Sequence, residues 1–195
     1  MALALHAGLA PSEWVRRWTH LIPRHGQKPQ VLDLACGHGR HSRWLAGQGI
    51  NVLAIDRDPA ALQSLADLAP AVQTQVADLE GAPWPLPGQT FDAVVVTHYL
   101  WRPLWPQLLQ SLRPAGVLIY ETFAHGNASV GKPSRPDFLL QPGELLRATA
   151  PLRPIAYEDG FLDAPERYVQ RLVAVHEPPA GPQDTPPRYA LRPAG

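Results

Sequence analysis

Three acids interrupt or close otherwise apolar runs: Asp33 inside "VLDLAC", Asp56 ending "NVLAID" and Asp78 ending "VQTQVAD". The first run passes into "ACGHGRHS", where Gly37 and Gly39 break the chain. A glycine-broken turn between a strand and a helix lets the backbone approach a ligand closely. The spacing Gly37-x-Gly39-x-x-Ser42 comes near the dinucleotide fingerprint, and Asp56 stands about twenty residues on, as a ribose-binding acid should.

Asp33 separates two ligands. A dinucleotide would bring a pyrophosphate to this turn, where a carboxylate repels it. S-adenosylmethionine brings an ammonium and a sulfonium instead, and both favour a nearby carboxylate, more strongly as water is excluded. An NAD-linked oxidoreductase is therefore disfavoured. Cys36, the single cysteine, reads as a small residue packed beside the ligand rather than a nucleophile. His38 and His41 flank the turn without a second ligand at metal spacing, so solvent exposure or a helix N-terminal hydrogen bond is expected and no metal site is. Arg57, next to Asp56, and Thr97, ending the fourth strand, complete the expected cofactor contacts. His98 and Tyr99, in "THYLW", follow that strand and are the candidates for a polar contact or base at an acceptor.

The elements that must position these residues are legible. "QVLDLAC", "NVLAID", "VQTQVAD", "FDAVVVTH" and "GVLIYETF" read as strands, separated by short helical patterns such as "RHSRWLAGQG" and "LWPQLLQSL". "RPAG" reads as a turn, and "LEGAPWPLPGQT" as a proline-broken connection in which Trp84 is a core or loop anchor. Near-continuous apolar strands alternating with helices indicate a parallel sheet covered on both faces. "RPIAYEDGF" and "RYVQRLVAVHE" are too close together for a parallel crossover and must form an antiparallel hairpin. The expected fold is α/β: a Rossmann-like, doubly wound seven-stranded sheet, mostly parallel, with an antiparallel C-terminal hairpin strand.

Residues 1–176 read as a single domain with an N-terminal helix at about 11–20, where Ser12 is the candidate N-cap. Residues 124–141 show no regular pattern, and a loop of that length is usually functional or disordered, so a substrate lid is expected there. Arg102, Lys132 and Arg135 could give it a basic lining. Residues 177–195 are proline-rich and read as an extended or disordered tail. Lys+Arg and Asp+Glu both number 17, which gives no drive towards nucleic acid or anionic membranes. The start lacks a basic n-region and no apolar stretch is long enough to span a bilayer, so a cytoplasmic protein is expected.

The successive segments "VLDLACGHGRHS", "VLAIDRD", "VADLEG", "WPLPGQTFDAVVV" and "LRPAGVLIYETF" resemble the motifs of class I S-adenosylmethionine-dependent methyltransferases, in particular small bacterial ones of the tellurite-resistance type. The resemblance covers residues 31–123. It implies that Asp33, Ala35, Gly37 and Gly39 form the first motif, with Ala35 replacing a usual glycine. It implies too that Asp56 binds the ribose and that Asp78 and Leu79 meet the adenine. The fourth strand lacks the Asn/Asp-Pro-Pro-aromatic tetrad of many base-amino methylating enzymes, so adenine-N6 chemistry is not expected. A small-molecule acceptor is the first reading; an RNA or protein methyltransferase and a non-catalytic S-adenosylmethionine-binding protein are the alternatives. Acceptor and oligomeric state are left open.

Overall fold

Valine, leucine and isoleucine alternate sides along every central strand, and the two faces they create define the architecture. The structure, a computed structural model, describes residues 10–24, 26–178 and 185–191. Seven strands form one sheet: β1 (Gln30–Leu34), β2 (Asn51–Asp56), β3 (Val72–Val76), β4 (Phe91–Thr97), β5 (Leu112–Phe123), β6 (Arg153–Asp163) and β7 (Glu166–Val175). Their order is β3-β2-β1-β4-β5-β7-β6. Pairs from β3 to β5 are parallel, and β7 runs antiparallel between β5 and β6. The seven-stranded, mostly parallel sheet with a reversed hairpin strand is the fold expected from the sequence.

On one face Val31, Val95 and Ile119 pack beneath α1 (Glu13–Trp18) and α2 (Arg40–Gly47), which contribute Trp14, Trp18 and Leu45. On the other, Leu32, Val94 and Leu118 pack with Leu108 and Leu145 of α4 (Trp105–Gln110) and α5 (Glu144–Ala148). The period of two thus builds a three-layer sandwich. The remaining helix, α3 (Pro59–Gln63), has Pro59 in its first turn and is capped by Asp58, whose side chain accepts from the Ala60 N–H at 2.9 Å. Ser12 caps α1, accepting from the Trp14 N–H at 3.1 Å.

Two local expectations change. "RPAG" lies within β5, where Phe91 pairs with Leu112 but Ala93 pairs with Val117, so the extra residues form a bulge rather than a turn. The expected N-terminal helix is shorter, ending at Trp18 before a 3-10 turn. The segment 185–191 carries no regular secondary structure, yet the Tyr189 hydroxyl donates to Glu177 at 3.0 Å and its ring lies under Arg153. The rest of the expected tail from residue 179 lies outside the described residues. No helix among the described residues is long and apolar enough to cross a membrane.

Candidate active site

The strand order reverses at β1, between β2 and β4, and the cleft outside the strand C-termini there is where open α/β sheets bind ligands. Two adjoining cavities occupy it. One, of about 250 Å³, is lined by Ala35, Asp56, Arg57, Asp78, Leu79 and Tyr99 among others. The other, of about 360 Å³, is lined by Cys36, Gly37, His38, Arg40, His41 and Thr97. Ala35 and His98 border both. These two have positive φ, 52° and 55°, although neither is glycine. Strained backbone of this kind concentrates at ligand sites.

Gly39 needs its glycine twice over: φ is 66°, and a Cβ would lie 2.5 Å from the Leu65 side chain. Gly37 meets the cleft directly, since a Cβ there would project into open space. Its N–H donates to Asp56 Oδ2 at 2.7 Å, and the Asp58 N–H donates to Asp56 Oδ1 at 3.0 Å. Each carboxylate oxygen keeps a lone pair for a vicinal hydroxyl. Asp78 is exposed, and the N–H groups of Glu80 and Gly81 hold it below the usual carboxylate range. Leu79 supplies a buried apolar wall beside it.

Residues 31–116 match the family model of the methyltransferase domain. No curated protein matches the chain in sequence. Among solved structures it is similar to TehB from Haemophilus influenzae, with a TM-score of 0.64 and 19% identity over 77% of this chain and 58% of that one. The chain therefore spans less than two thirds of that relative. A TehB-like S-adenosylmethionine-dependent methyltransferase from Corynebacterium glutamicum superposes with a TM-score of 0.62 and 21% identity, covering 88% and 91% of the two chains. A geranyl diphosphate methyltransferase, solved with GPP and sinefungin, gives a TM-score of 0.65 and 15% identity over 84% and 78%. The fold is that of class I S-adenosylmethionine-dependent methyltransferases, and the likeness to the tellurite-resistance type read from the sequence holds for that fold.

Within residues 31–116, Ala35, Cys36, Gly37, Asp56, Arg57, Asp78, Leu79, Thr97, His98 and Tyr99 all line the cleft. Asp33 does not. It is 1% exposed and accepts the Ser42 hydroxyl at 2.6 Å, fastening β1 to the first turn of α2. Burial, the largest influence, raises its pKa to about 6 against the lowering effect of Ser42 and Arg40. Its charge, after burial, also raises the neighbouring Cys36 thiol. That thiol stays protonated, so Cys36 packs and does not attack.

His41 is buried at 1% exposure, not solvent-exposed. The Ser12 N–H donates to its Nε2 at 3.1 Å, which leaves the ring proton on Nδ1, 3.4 Å from Thr97 Oγ1. Glu121 escaped the sequence reading altogether. It is 1% exposed on β5, accepts from Ser12 Oγ at 3.2 Å, and lies 3.5 Å from Arg171 and 3.8 Å from His98 Nε2. The available signal was an acid inside the apolar strand "GVLIYETF", the same kind of signal that Asp33 carries.

The basic lining expected for 124–141 also changes. Arg102 is a strut, donating to Glu144 at 2.6 and 3.0 Å and to the Asp137 and Leu139 carbonyls. Arg135 pairs with Asp137 at 2.8 Å, and Lys132 is exposed. The segment reaches the site instead through Pro133 and Phe138, which border a further cavity with His98, Tyr99 and Leu100. Replacing Asp56 by alanine should weaken S-adenosylmethionine binding by about 1.5–3 kcal/mol, the range for losing a charged hydrogen-bonding partner. Calorimetry with a parallel melting curve checks this, and unchanged affinity would remove Asp56 from the site.

Proposed function

We propose that the protein is a S-adenosylmethionine-dependent methyltransferase that methylates a small-molecule acceptor. The observation that supports this best is the place of His98, which among the described residues alone borders both halves of the cofactor cleft and two further cavities. A ligand held between Asp56 and the Cys36–Gly37 turn would face an acceptor across that side chain. When bound, S-adenosylmethionine supplies a methyl group activated by a sulfonium, whose sulfur leaves with the bond's electron pair.

The chain's own residues supply binding, alignment and proton handling. Asp56 accepts the ribose hydroxyls, Leu79 and Asp78 border the base, and the acid field of Asp33 favours a cation above the turn. Holding two reactants in line provides much of the acceleration such a transfer needs. Burial, followed by the charges of Arg40 and Arg167, lowers His98 to about 4, so it is a neutral imidazole at pH 7. Its free nitrogen can take a proton from the acceptor, and Glu121 at 3.8 Å stabilises the resulting charge. Tyr99 serves as a polar contact rather than a base. Burial, then Glu80 and Asp78, push its phenol pKa up, so it stays protonated at pH 7. The segment 124–141, through Pro133 and Phe138, is the proposed cover of the acceptor side.

His98→Ala should leave cofactor affinity intact and lower turnover about 10²–10⁴-fold, the usual worth of a positioned acid–base group. The part of the acid limb that reflects His98 protonation, near pH 4, should be lost with it, leaving only the fall that loosening of the N-terminal helix causes. Unchanged kinetics would return His98 to a structural role. The acceptor itself is sought by release of S-adenosylhomocysteine from a metabolite extract, with a salt-dependent RNA-binding titration beside it. Failure to bind S-adenosylmethionine would sink the whole reading.

A further inference from the structure

A further cavity borders His98 but not Asp56. It measures about 710 Å³ and is formed by the start of α1, Arg40, Glu121 and the turn joining β6 to β7, with Arg167 and Arg171 of β7. We propose that this cavity is the acceptor site, that its substrate is an organic acid, and that the Arg167 guanidinium anchors the substrate's carboxylate. This rests on the methyltransferase reading and narrows its substrate class.

Size comes first. Pockets for metabolite- or drug-sized ligands occupy about 300–1,000 Å³, so a small inorganic oxyanion would leave most of this one to water. Charge comes second. Arg171 is spoken for: it lies 2.8 Å from Glu158 and 3.5 Å from Glu121, and its guanidinium covers the Trp14 ring. Glu121 is equally committed, to Ser12 and Arg171. Among the described residues, Arg40 and Arg167 have no carboxylate within ion-pair distance. Arg167 gives one N–H to the Pro165 carbonyl at 3.2 Å, and its Nε is buried without a partner. The other acids on the wall, Glu13 and Asp163, are exposed, where water and salt screen them.

Arg40 feels the charges of Glu121 and Asp33 without contacting either, and Arg167 lies close enough to disfavour its charge. A carboxylate among them reverses the sign of that interaction. Arg40 also borders the cofactor cleft and is available to the cofactor's own carboxylate, whereas Arg167 borders only the larger cavity of the two. Arg167 is therefore the residue that distinguishes acceptors. The carboxylate is a handle, and the nucleophile lies at the His98 end.

The test titrates the full chain by calorimetry with benzoate, benzamide and phenyl phosphate, with and without saturating S-adenosylhomocysteine. Benzoate should bind about ten- to a hundredfold more tightly than benzamide, the worth of one charge-assisted anchor. Arg167→Met should reduce benzoate to the level of benzamide without changing S-adenosylhomocysteine affinity, and Arg167→Lys should retain part of the preference. Equal binding of benzoate and benzamide to the wild type, binding of neither, tighter binding of phenyl phosphate, or a folded Arg167→Met that still prefers benzoate would each overturn the inference. The wild-type comparison stands whether or not the variant folds. Arg167-dependent benzoate binding supports the anchor even if S-adenosylhomocysteine fails to bind, a failure that would overturn the methyltransferase reading instead.

Discussion

Acidification from pH 7 to pH 4 should release the N-terminal helix from the sheet, and His41 should be the reason. Its Nε2 accepts the Ser12 N–H, and burial, followed by Arg40 and His98, lowers its pKa to about 3 from an ordinary 6.5. A protonated ring cannot accept that bond. For a group depressed in the folded state, the stabilisation is present above pH 6.5 and is lost as pH falls towards 3. The full span corresponds to about 4–5 kcal/mol, a large part of the usual 5–15 kcal/mol of a domain. Asp33 works in the opposite direction over pH 6 to 4, and His98, lowered to about 4, roughly offsets it, so the net effect of acid is the loss at His41. Urea unfolding followed through Trp14 and Trp18, both buried in α1, reads this directly. His41→Gln, which keeps an acceptor without a titrating ring, should flatten the pH dependence. An equal slope in wild type and variant would exonerate His41.

That coupling carries the N-terminal helix into the function. Ser12 touches both His41 and Glu121, while Glu121 contacts Arg171 and approaches His98. The helix start is thus bonded to the floor of the cofactor turn and to the wall of the proposed acceptor cavity. Loosening it at low pH should open both, so activity should fall before the global transition does.

What could be read from the sequence follows the range of the physics involved. Alternating apolar residues fix strands locally, and the short gap between the last two strands forces a hairpin, so the sheet was legible. The cleft was legible too, because its residues sit at the ends of consecutive strands, and strand order places those ends together. Contacts across distant elements were not. His41 finds Ser12 29 residues away, Arg102 finds Glu144 42 residues away, and Arg171 reaches Glu121 only because β7 inserts beside β5. None of these pairings leaves a local pattern. Asp33 shows the intermediate case: an acid within an apolar strand was visible, but its side chain faces α2, on the same side of β1 as Val31. Alternation within the strand set that direction, and the ligand cleft did not.

Replacing Asp33 by asparagine should stabilise the protein at pH 7.5 and weaken its grip on S-adenosylmethionine. The carboxyl is buried and titrates near 6 instead of 3.8, so in the folded state its charge is unfavourable. A group raised by folding contributes stability that is complete below about 3.8 and lost as pH climbs through 6. Above that, ionised Asp33 costs about 3 kcal/mol, from which the asparagine variant recovers part, since one hydrogen bond from Ser42 worth about 1 kcal/mol is at risk. A net gain of about 1–2 kcal/mol at pH 7.5 should therefore shrink to nothing or reverse below pH 4. Denaturant curves at the two pH values measure it, and a variant less stable at both would show that the hydrogen bonds outweigh the buried charge. The binding arm points the other way. The field of Asp33 favours a sulfonium over a neutral sulfur, so the variant should lose more affinity for S-adenosylmethionine than for S-adenosylhomocysteine. Equal losses would mean that Asp33 only fastens β1 to α2. Unequal losses would explain why a stability-lowering acid occupies the middle of the central strand: its charge is directed at the ligand, and the fold tolerates it.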